Sequence, residues 1–411
     1  MAAEPTQARS KPLFKNRTYL FILVGHIISV FGDTFHSLAL AFWVLQTTNS
    51  GTAMAVVTAA KITTGVLAGP FAGAIADRVD RRRLMITMDV ARFLLVGLMF
   101  FMVRLPNVPF VVVVLTACAI ALCNAFMNPA FSASMIQIAG REHVGQAQAS
   151  LQTLSTLASI VGPSIGGAVF GLWGASVAFG ADAASYLLSA LCILAGGYFA
   201  SPRAAGKGPR TSFWADLREG ITALRSQPLI KALVVAAPLL NFFGNASATV
   251  VAILVIKEWK IGPSLVGLME GSLPVGLLLG GLLLMALSAK LRRRGLIMGA
   301  GIILIGLTMS PIPLVGYWPM LGLMAIAGVC MAVTNGLLAI ILQSETPPEM
   351  QGRVFGLLGS AAQAVAPVGT LLAGSLSDVT GAGPIAIASG LGFTILGVVC
   401  WTIFPALRKY D

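Results

Sequence analysis

Two stretches of this chain, 105–140 and 295–344, contain no Asp, Glu, Lys or Arg. Each is longer than the ~20 apolar residues that cross a bilayer once as a helix. Runs of that kind have no water-facing side, so a soluble globule is excluded and the chain reads as a polytopic membrane protein. Composition agrees: 57% of the residues are hydrophobic, 10% are charged, and mean hydropathy is +0.88. Glycines, prolines and polar breaks divide the apolar sequence into twelve expected spans, near 19–45, 53–76, 84–103, 108–137, 145–171, 176–200, 229–256, 264–288, 296–312, 318–343, 353–377 and 384–406. In lipid the backbone must satisfy its own polar groups, and no alternating pattern of about ten residues suggests a barrel strand. The spans are therefore read as helices.

Where the charges fall sets the topology. Of the 27 Lys and Arg residues, 22 lie in the N-terminal tail, the even-numbered connections and the C-terminal tail. Arg104, Lys257 and Lys260 lie on the opposite side, and Lys61 and Arg92 lie inside spans. Both termini are thus expected in the cytoplasm, on a chain that crosses the cell (inner) membrane many times. The net charge of +12 does not point to nucleic acid, because no exposed domain carries basic residues interleaved with aromatics. The five cysteines, Cys118, Cys123, Cys192, Cys330 and Cys400, all fall in spans without ligand-type spacing, so neither disulfides nor a metal is expected. The first 18 residues carry Arg9, Lys11, Lys15 and Arg17 ahead of a span too long for a signal-peptide core, and an uncleaved N-terminus is expected.

Residues 69–83, GPFAGAIADRVDRRR, run from a small-residue helix into a dense charge cluster and then into an apolar helix. Such a loop must be short and rigid. Gly73 lets helix ends approach, Asp77 is placed to cap or pair at a neighbouring terminus, and Arg78, Arg81, Arg82 and Arg83 suit a cytoplasmic membrane surface. The string resembles the signature loop between helices 2 and 3 of the major facilitator superfamily. The resemblance implies a cytoplasmic latch carried by Gly73, Asp77, Arg78, Arg81 and Arg82; a plain positive-inside clamp is the simpler alternative. Asp89 and Arg92, at i and i+3 just beyond, are expected to join the same charge network.

The chain also repeats itself. Gly65 and Gly69 recur as Gly276 and Gly280, and Arg81–Arg83 as Arg292–Arg294. Glu142, Gly145, Gly162, Gly167 and Gly174 recur as Glu349, Gly352, Gly369, Gly374 and Gly381, and Phe31-Gly32-Asp33 as Phe243-Gly244-Asn245. The second copy has drifted, with Leu284 for Gly73 and Ser288 for Asp77. Two pseudo-symmetric six-helix bundles follow, residues 1–200 and 229–411. Between them, 201–228 forms a cytoplasmic linker whose Phe213, Trp214, Leu217, Ile221 and Leu224 have the spacing of an amphipathic surface helix. This is the parallel-repeat plan of facilitator transporters, with the substrate site near the midplane between halves.

Ionisable groups within spans cost at least about 2.5 kcal/mol each near a helix centre, so each needs a reason. The candidates are His26, Asp33 and His36 on helix 1, Lys61 on helix 2, Asp182 on helix 6 and Glu270 on helix 8. At 100° per residue, His26, Ser29, Asp33, His36 and Ser37 share one stripe about 100° wide. In the resembling fold helices 1, 4, 7 and 10 line the cavity. That assigns His26, Ser29 and Phe35 of helix 1, Asn124 and Asn128 of helix 4, and Asn241, Asn245 and Thr249 of helix 7 to a substrate cavity. The Asn and Ser groups serve equally well as interhelical glue. Asp33, Glu270, Lys61 and His36 form the candidate proton-coupling set, with Asp33 foremost and anchoring of helix 1 as its alternative role. Asp182 is expected to bind a neighbouring backbone.

GPSIGG at 162–167 resembles the helix 5 signature of the superfamily's antiporters. With GDTFHSLALAFWVL, MDVAR at 88–92, NPAFSAS at 128–134 and PPEMQGRVFGLL at 347–358, the chain is similar to the macrolide-efflux-like branch of drug:proton antiporters, whose relatives include movers of siderophores and lysophospholipids. The resemblance implies a monomeric, cofactor-free exporter of amphipathic small molecules, driven by protons through alternating access. A membrane-embedded enzyme is the distant alternative: no GxxxxGK[ST] loop, HExxH or Asp-rich metal motif occurs.

Overall fold

The computed structural model describes residues 13–140, 142–198, 228–287, 291, 293–346 and 348–403. The linker helix expected at 211–226, Ser288 and Arg292 lie outside them. Twelve helical crossings account for the described chain. The first four are α1 (Arg17–Thr48), α2 (Gly51–Ala76), α3 (Arg81–Met102) and α4 (Phe110–Ala139). The run Val144–Ala195 breaks at Gly174, whose φ of 82° and ψ of 176° no helix accommodates, into α5 (144–173) and α6 (175–195). Then come α7 (Pro228–Ile253, extended by a π turn at Leu254–Glu258), α8 (Pro263–Leu287), α9 (Arg294–Met309) and α10 (Tyr317–Glu345). The crossing α11 is made of two pieces, Pro348–Ala364 and Ala366–Thr380, and α12 is Ala382–Ile403. Ten described helices are long and apolar enough to span a membrane. Dividing the 52-residue run and adding the shorter apolar α9 brings the crossings to twelve.

Local chemistry sets the ends. Asn16 accepts from the Tyr19 N–H to start α1, Ser50 from Ala53 to start α2, and Asp80 from Arg83 to start α3. Large apolar side chains such as Leu94, Phe101, Leu115 and Ile395 remain exposed, as expected of a chain surrounded by lipid rather than water. Inside, α1 packs against the α5–α6 run, α2 and α3 against α4, α7 against α11 and α12, and α9 against α10 and α12.

The repeated glycines make equivalent contacts. Gly162 abuts Thr34 of α1, as Gly369 abuts Phe242 of α7. Gly32 faces Asp182 and Ser185 of α6, while Gly244 faces Phe393 of α12. A Cβ at Gly167 would run into the Pro263 carbonyl at the start of α8, and one at Gly374 would run into Ala55 near the start of α2.

Among the described residues, the apolar packing between the halves is concentrated at one end. At the face opposite the termini, here the far face, a continuous apolar core runs from Leu38–Leu45, Val96 and Phe170 to Val250–Ile256, Met269 and Ile305. Toward the terminal face it separates into two, one around Tyr19, Met85 and Phe131, the other around Met298, Leu337 and Val354. Between these, a gap of about 660 Å³ separates Gln152–Ser159 of α5 from Pro274–Met285 of α8. The two bundles splay open toward the termini.

Candidate functional site

Between the halves, in the far-face half of the helices, lies a cavity of about 270 Å³. Its polar lining is Ser37 of α1, Thr58 and Lys61 of α2, Asn245 and Thr249 of α7, and Glu270 of α8; Leu40, Val44, Met54 and Val57 supply apolar wall. Helix geometry explains the α7 contribution. Asn241, Asn245 and Thr249 lie at i, i+4, i+8, each side chain bonding back to the carbonyl four residues earlier, but only Asn245 and Thr249 reach the cavity; Asn241, a turn nearer the terminal face, lies outside its lining. These back-bonds fix the rotamers. Lys61 and Glu270 share the cavity without an ion pair between them. The cavity thus presents the Lys61 amine from one half and the Glu270 carboxyl from the other.

Asp33 and His36 differ from the expected cavity placement. The stripe on α1 points mainly into its own bundle, because Gly25 and Gly32 let α6 approach closely on that side. Asp33 accepts a hydrogen bond of 2.5 Å from the Tyr186 hydroxyl. His36 is buried, its Nδ1 3.2 Å from Asp182 Oδ2 by proximity rather than hydrogen-bond alignment. Asp182, expected to bind backbone, therefore faces a histidine. Ser29 is buried, His26 stacks on Phe131 of α4 at 3.8 Å, and Phe35 packs against Gly166 of α5. Asp33, one turn from the lining residue Ser37 on α1 but turned toward α6, remains within electrostatic reach of Lys61.

The pair expected beside the basic loop has moved further still. Asp89 and Arg92 are buried and bonded to each other, Asp89 also accepting from Ser189 (2.8 Å). Arg92 donates to Asn124 (2.8 Å) and lies over the Tyr186 ring at 4.3 Å. Asn124 is thus engaged inside its bundle, whereas Asn128 is exposed. A polar chain links Asp33, Tyr186, Arg92, Asp89 and Asn124. Tyr186, which sequence reasoning passed over, is its centre; the signal was a tyrosine four residues after Asp182 on one face of α6.

The loop residues stay within one half. Arg81 pairs with Asp77 at 3.1 Å, and Arg82 donates to the carbonyls of Ile193 and Leu194 at the end of α6. The Asp77 side chain is 74% exposed, Arg78 is exposed too, and nothing lies within 4 Å of a Cβ built at Gly73. The expected close approach at Gly73 is therefore absent, because the terminal face is open.

At the far face the halves are clasped by residues that sequence reasoning did not select. The Asp378 carboxylate, at the end of α11, accepts from the Ser50 hydroxyl (2.7 Å), the Gly51 N–H (2.8 Å), the Thr52 N–H (2.9 Å) and hydroxyl (2.8 Å), and the Lys257 ammonium (2.8 Å). An acid at the end of an apolar span reads as solvated, which hid it. Among the described residues no group of three or more His, Cys, Asp or Glu is arranged to hold a metal ion.

Two six-helix sets with a polar cavity between them define a membrane transporter of the major facilitator fold. Comparison with known proteins agrees over the whole length. Residues 10–410 match the family described as transmembrane secretion effector, of the major facilitator superfamily, and the chain belongs to that family. It is 24% identical over 401 residues to macrolide efflux protein A of Streptococcus pyogenes, covering 95% of this chain and 96% of that protein. It is 26% identical over 408 residues to the multidrug efflux pump Tap of Mycolicibacterium fortuitum, covering 97% and 98%. Its fold is similar to that of a bacterial homologue of the iron transporter ferroportin in an inward-facing state, with a TM-score of 0.73, 14% identity, and coverage of 95% of this chain and 99% of that one. The family is one of transporters, not enzymes.

Proposed function

We propose that this protein exports amphipathic small molecules from the cell by alternating access, driven by an inward proton gradient. The observation that carries the reading is the cavity shared by Lys61 and Glu270, between halves that pack together at the far face and separate toward the terminal face. The macrolide and multidrug efflux relatives support the cargo class. The excess of Lys and Arg in the terminal-face connections supports a cytoplasmic terminal face. In this reading 1–200 and 229–411 rock as two bundles tethered by 201–228, and the Asp77–Arg81 loop latches the terminal face once it closes.

The coupling is electrostatic. A carboxylate binds a proton more tightly when isolated in a dry site and less tightly beside a cation. Asp33 carries the proton, held by Tyr186 and sensed by Lys61. Protonating it removes a negative charge within reach of Lys61, and Lys61 then repels a cationic cargo that Glu270 had held. Proton and cargo so compete through the field, without sharing an atom. An anionic, siderophore-type cargo bound to Lys61 is the second reading, favoured by that lysine and by the 25% identity over 281 residues to the enterobactin exporter EntS of Escherichia coli, which covers 66% of this chain and 64% of that protein.

Uptake of a fluorescent amphipathic cation into inverted membrane vesicles tests the proposal. Accumulation should collapse when an uncoupler is added. Asp33→Asn should retain binding and lose gradient-driven accumulation, while Glu270→Gln should chiefly weaken binding of the cation. Uncoupler-sensitive uptake at the parent rate in Asp33→Asn would remove Asp33 from the coupling role.

A further inference from the structure

The far-face clasp is built like a helix cap, yet its carboxylate comes from the other half of the molecule. The first N–H groups of any helix lack partners within it, and the local dipole favours an anion there. In α2 those groups, Gly51 and Thr52, are met by Asp378, with the Ser50 and Thr52 hydroxyls completing the set. Lys257, on the same half as Asp378, steadies the carboxylate from behind. Gly374, one turn before Asp378, removes the side chain that would hold the two helices apart: a Cβ there would lie 2.7 Å from the Gly51 carbonyl oxygen.

The motif has a counterpart at the opposite face. Gly374-Ser-Leu-Ser-Asp378 repeats the Gly-x-x-x-Asp spacing of Gly73-Ala-Ile-Ala-Asp77. The first is engaged across the halves in this structure, while the second is exposed. Internal symmetry does not duplicate the far-face acid. The repeat offset of 207 that relates Gly174 to Gly381 relates Asp378 to Gly171, which meets only the Ser264 side chain of α8. Among the described residues the same spacing thus occurs once at each face, on a different half, and only the far-face copy is engaged across the halves.

We infer that Asp378 is the far-face latch: its capture of the α2 N-terminus, braced by Lys257, holds the far face shut while the halves stand apart at the terminal face, and the far face opens only when that carboxylate lets go. The inference rests on the two halves moving as alternating access requires, and on no assumption about cargo or protons. A population balance between two states shifts only by the free energy that distinguishes them. Five donors on one carboxylate, formed in one state and broken in the other, supply such a difference.

Distances between spin labels test it on the full-length protein in lipid nanodiscs, with the five native cysteines replaced. Thr48→Cys with Thr380→Cys reports the far face, and Thr156→Cys with Leu282→Cys the terminal face. Asp378→Ala should shift the ratio of far-open to far-closed molecules by about tenfold or more, lengthening the far-face distance and shortening the terminal-face one. Lys257→Met, which leaves the helix cap intact, should shift it less in the same direction. Should the alanine variant fail to elute as a single folded species, Asp378→Asn keeps the shape, removes the charge and gives the same readout. Parent distributions at both faces in a folded Asp378 variant would overturn the latch. Because no transport is measured, the latch can fail while proton-driven export stands, or stand while export fails.

Discussion

Arg92 is the residue on which most of the buried polar chemistry converges. It is 3% exposed, between Asp89, Asn124 and the Tyr186 ring, and Asp89 has no exposure at all. Removing one member of such a pair leaves an uncompensated charge, at a cost of about 3–5 kcal/mol. Arg92→Ala should accordingly lower thermal stability steeply in purified protein, and Arg92→Ala with Asp89→Ala should recover part of the loss. Equal destabilisation by the single and double variants would show that packing of the arginine stem, not charge pairing, dominates. The i, i+3 pairing itself was legible in the sequence. Its depth was harder to read: six residues beyond Arg83 is about 9 Å of helix, enough to carry Asp89 from the loop into the bundle.

At the level of elements, helix periodicity correctly grouped Ser29, Asp33 and His36 on one side of α1, but periodicity does not say what that side meets. The glycines decide it. Gly25 and Gly32 bring α6 close, so most of the stripe turns into the bundle, and Ser37, at its edge, reaches the cavity. The spans themselves were readable because lipid permits no other solution for such apolar runs, and their ends agree with the structure to within a turn or so. The far-face seal between α5 and α8 was only half legible. GPSIGG stood out, whereas its partner GPSLVG at 262–267 did not, and the two pack reciprocally, Gly167 on Pro263 and Gly267 on Pro163. A large side chain at Gly167 has nowhere to go without parting the halves. Gly167→Leu should therefore disfavour the far-closed state and slow transport, whereas Gly145→Leu, with nothing within 4 Å of its Cβ position, should be tolerated. Comparable far-face spin-label distances in the two variants would refute this account of the seal.

For the whole molecule, charge asymmetry and internal repetition carried the argument, and both survive drift that erases individual side chains. The repeat was detectable because glycine is hard to replace where helices come closest, as at Gly162 against the Thr34 side chain and Gly369 against the Phe242 backbone. Conformation was not detectable, since the same pattern serves every state of a rocking pair. Orientation yields to a direct test. A cysteine at Trp318, 68% exposed at the start of α10, should react with a membrane-impermeant maleimide on intact cells, and one at Ser212 in the linker should not. Labelling of Ser212 from outside would reverse the topology.

The cavity that Lys61 and Glu270 share has about 270 Å³, while pockets for drug-sized ligands generally run from about 300 to 1,000 Å³. Cargo of the proposed class exceeds that volume, and binding it would have to wedge the cavity walls apart, α1 and α2 on one side and α7 and α8 on the other. Selectivity by size then appears in the turnover rate more than in affinity. Along a homologous series of growing bulk, compounds would pass from freely carried to slowly carried to retained, and the bulkiest members would jam the pump that smaller ones traverse.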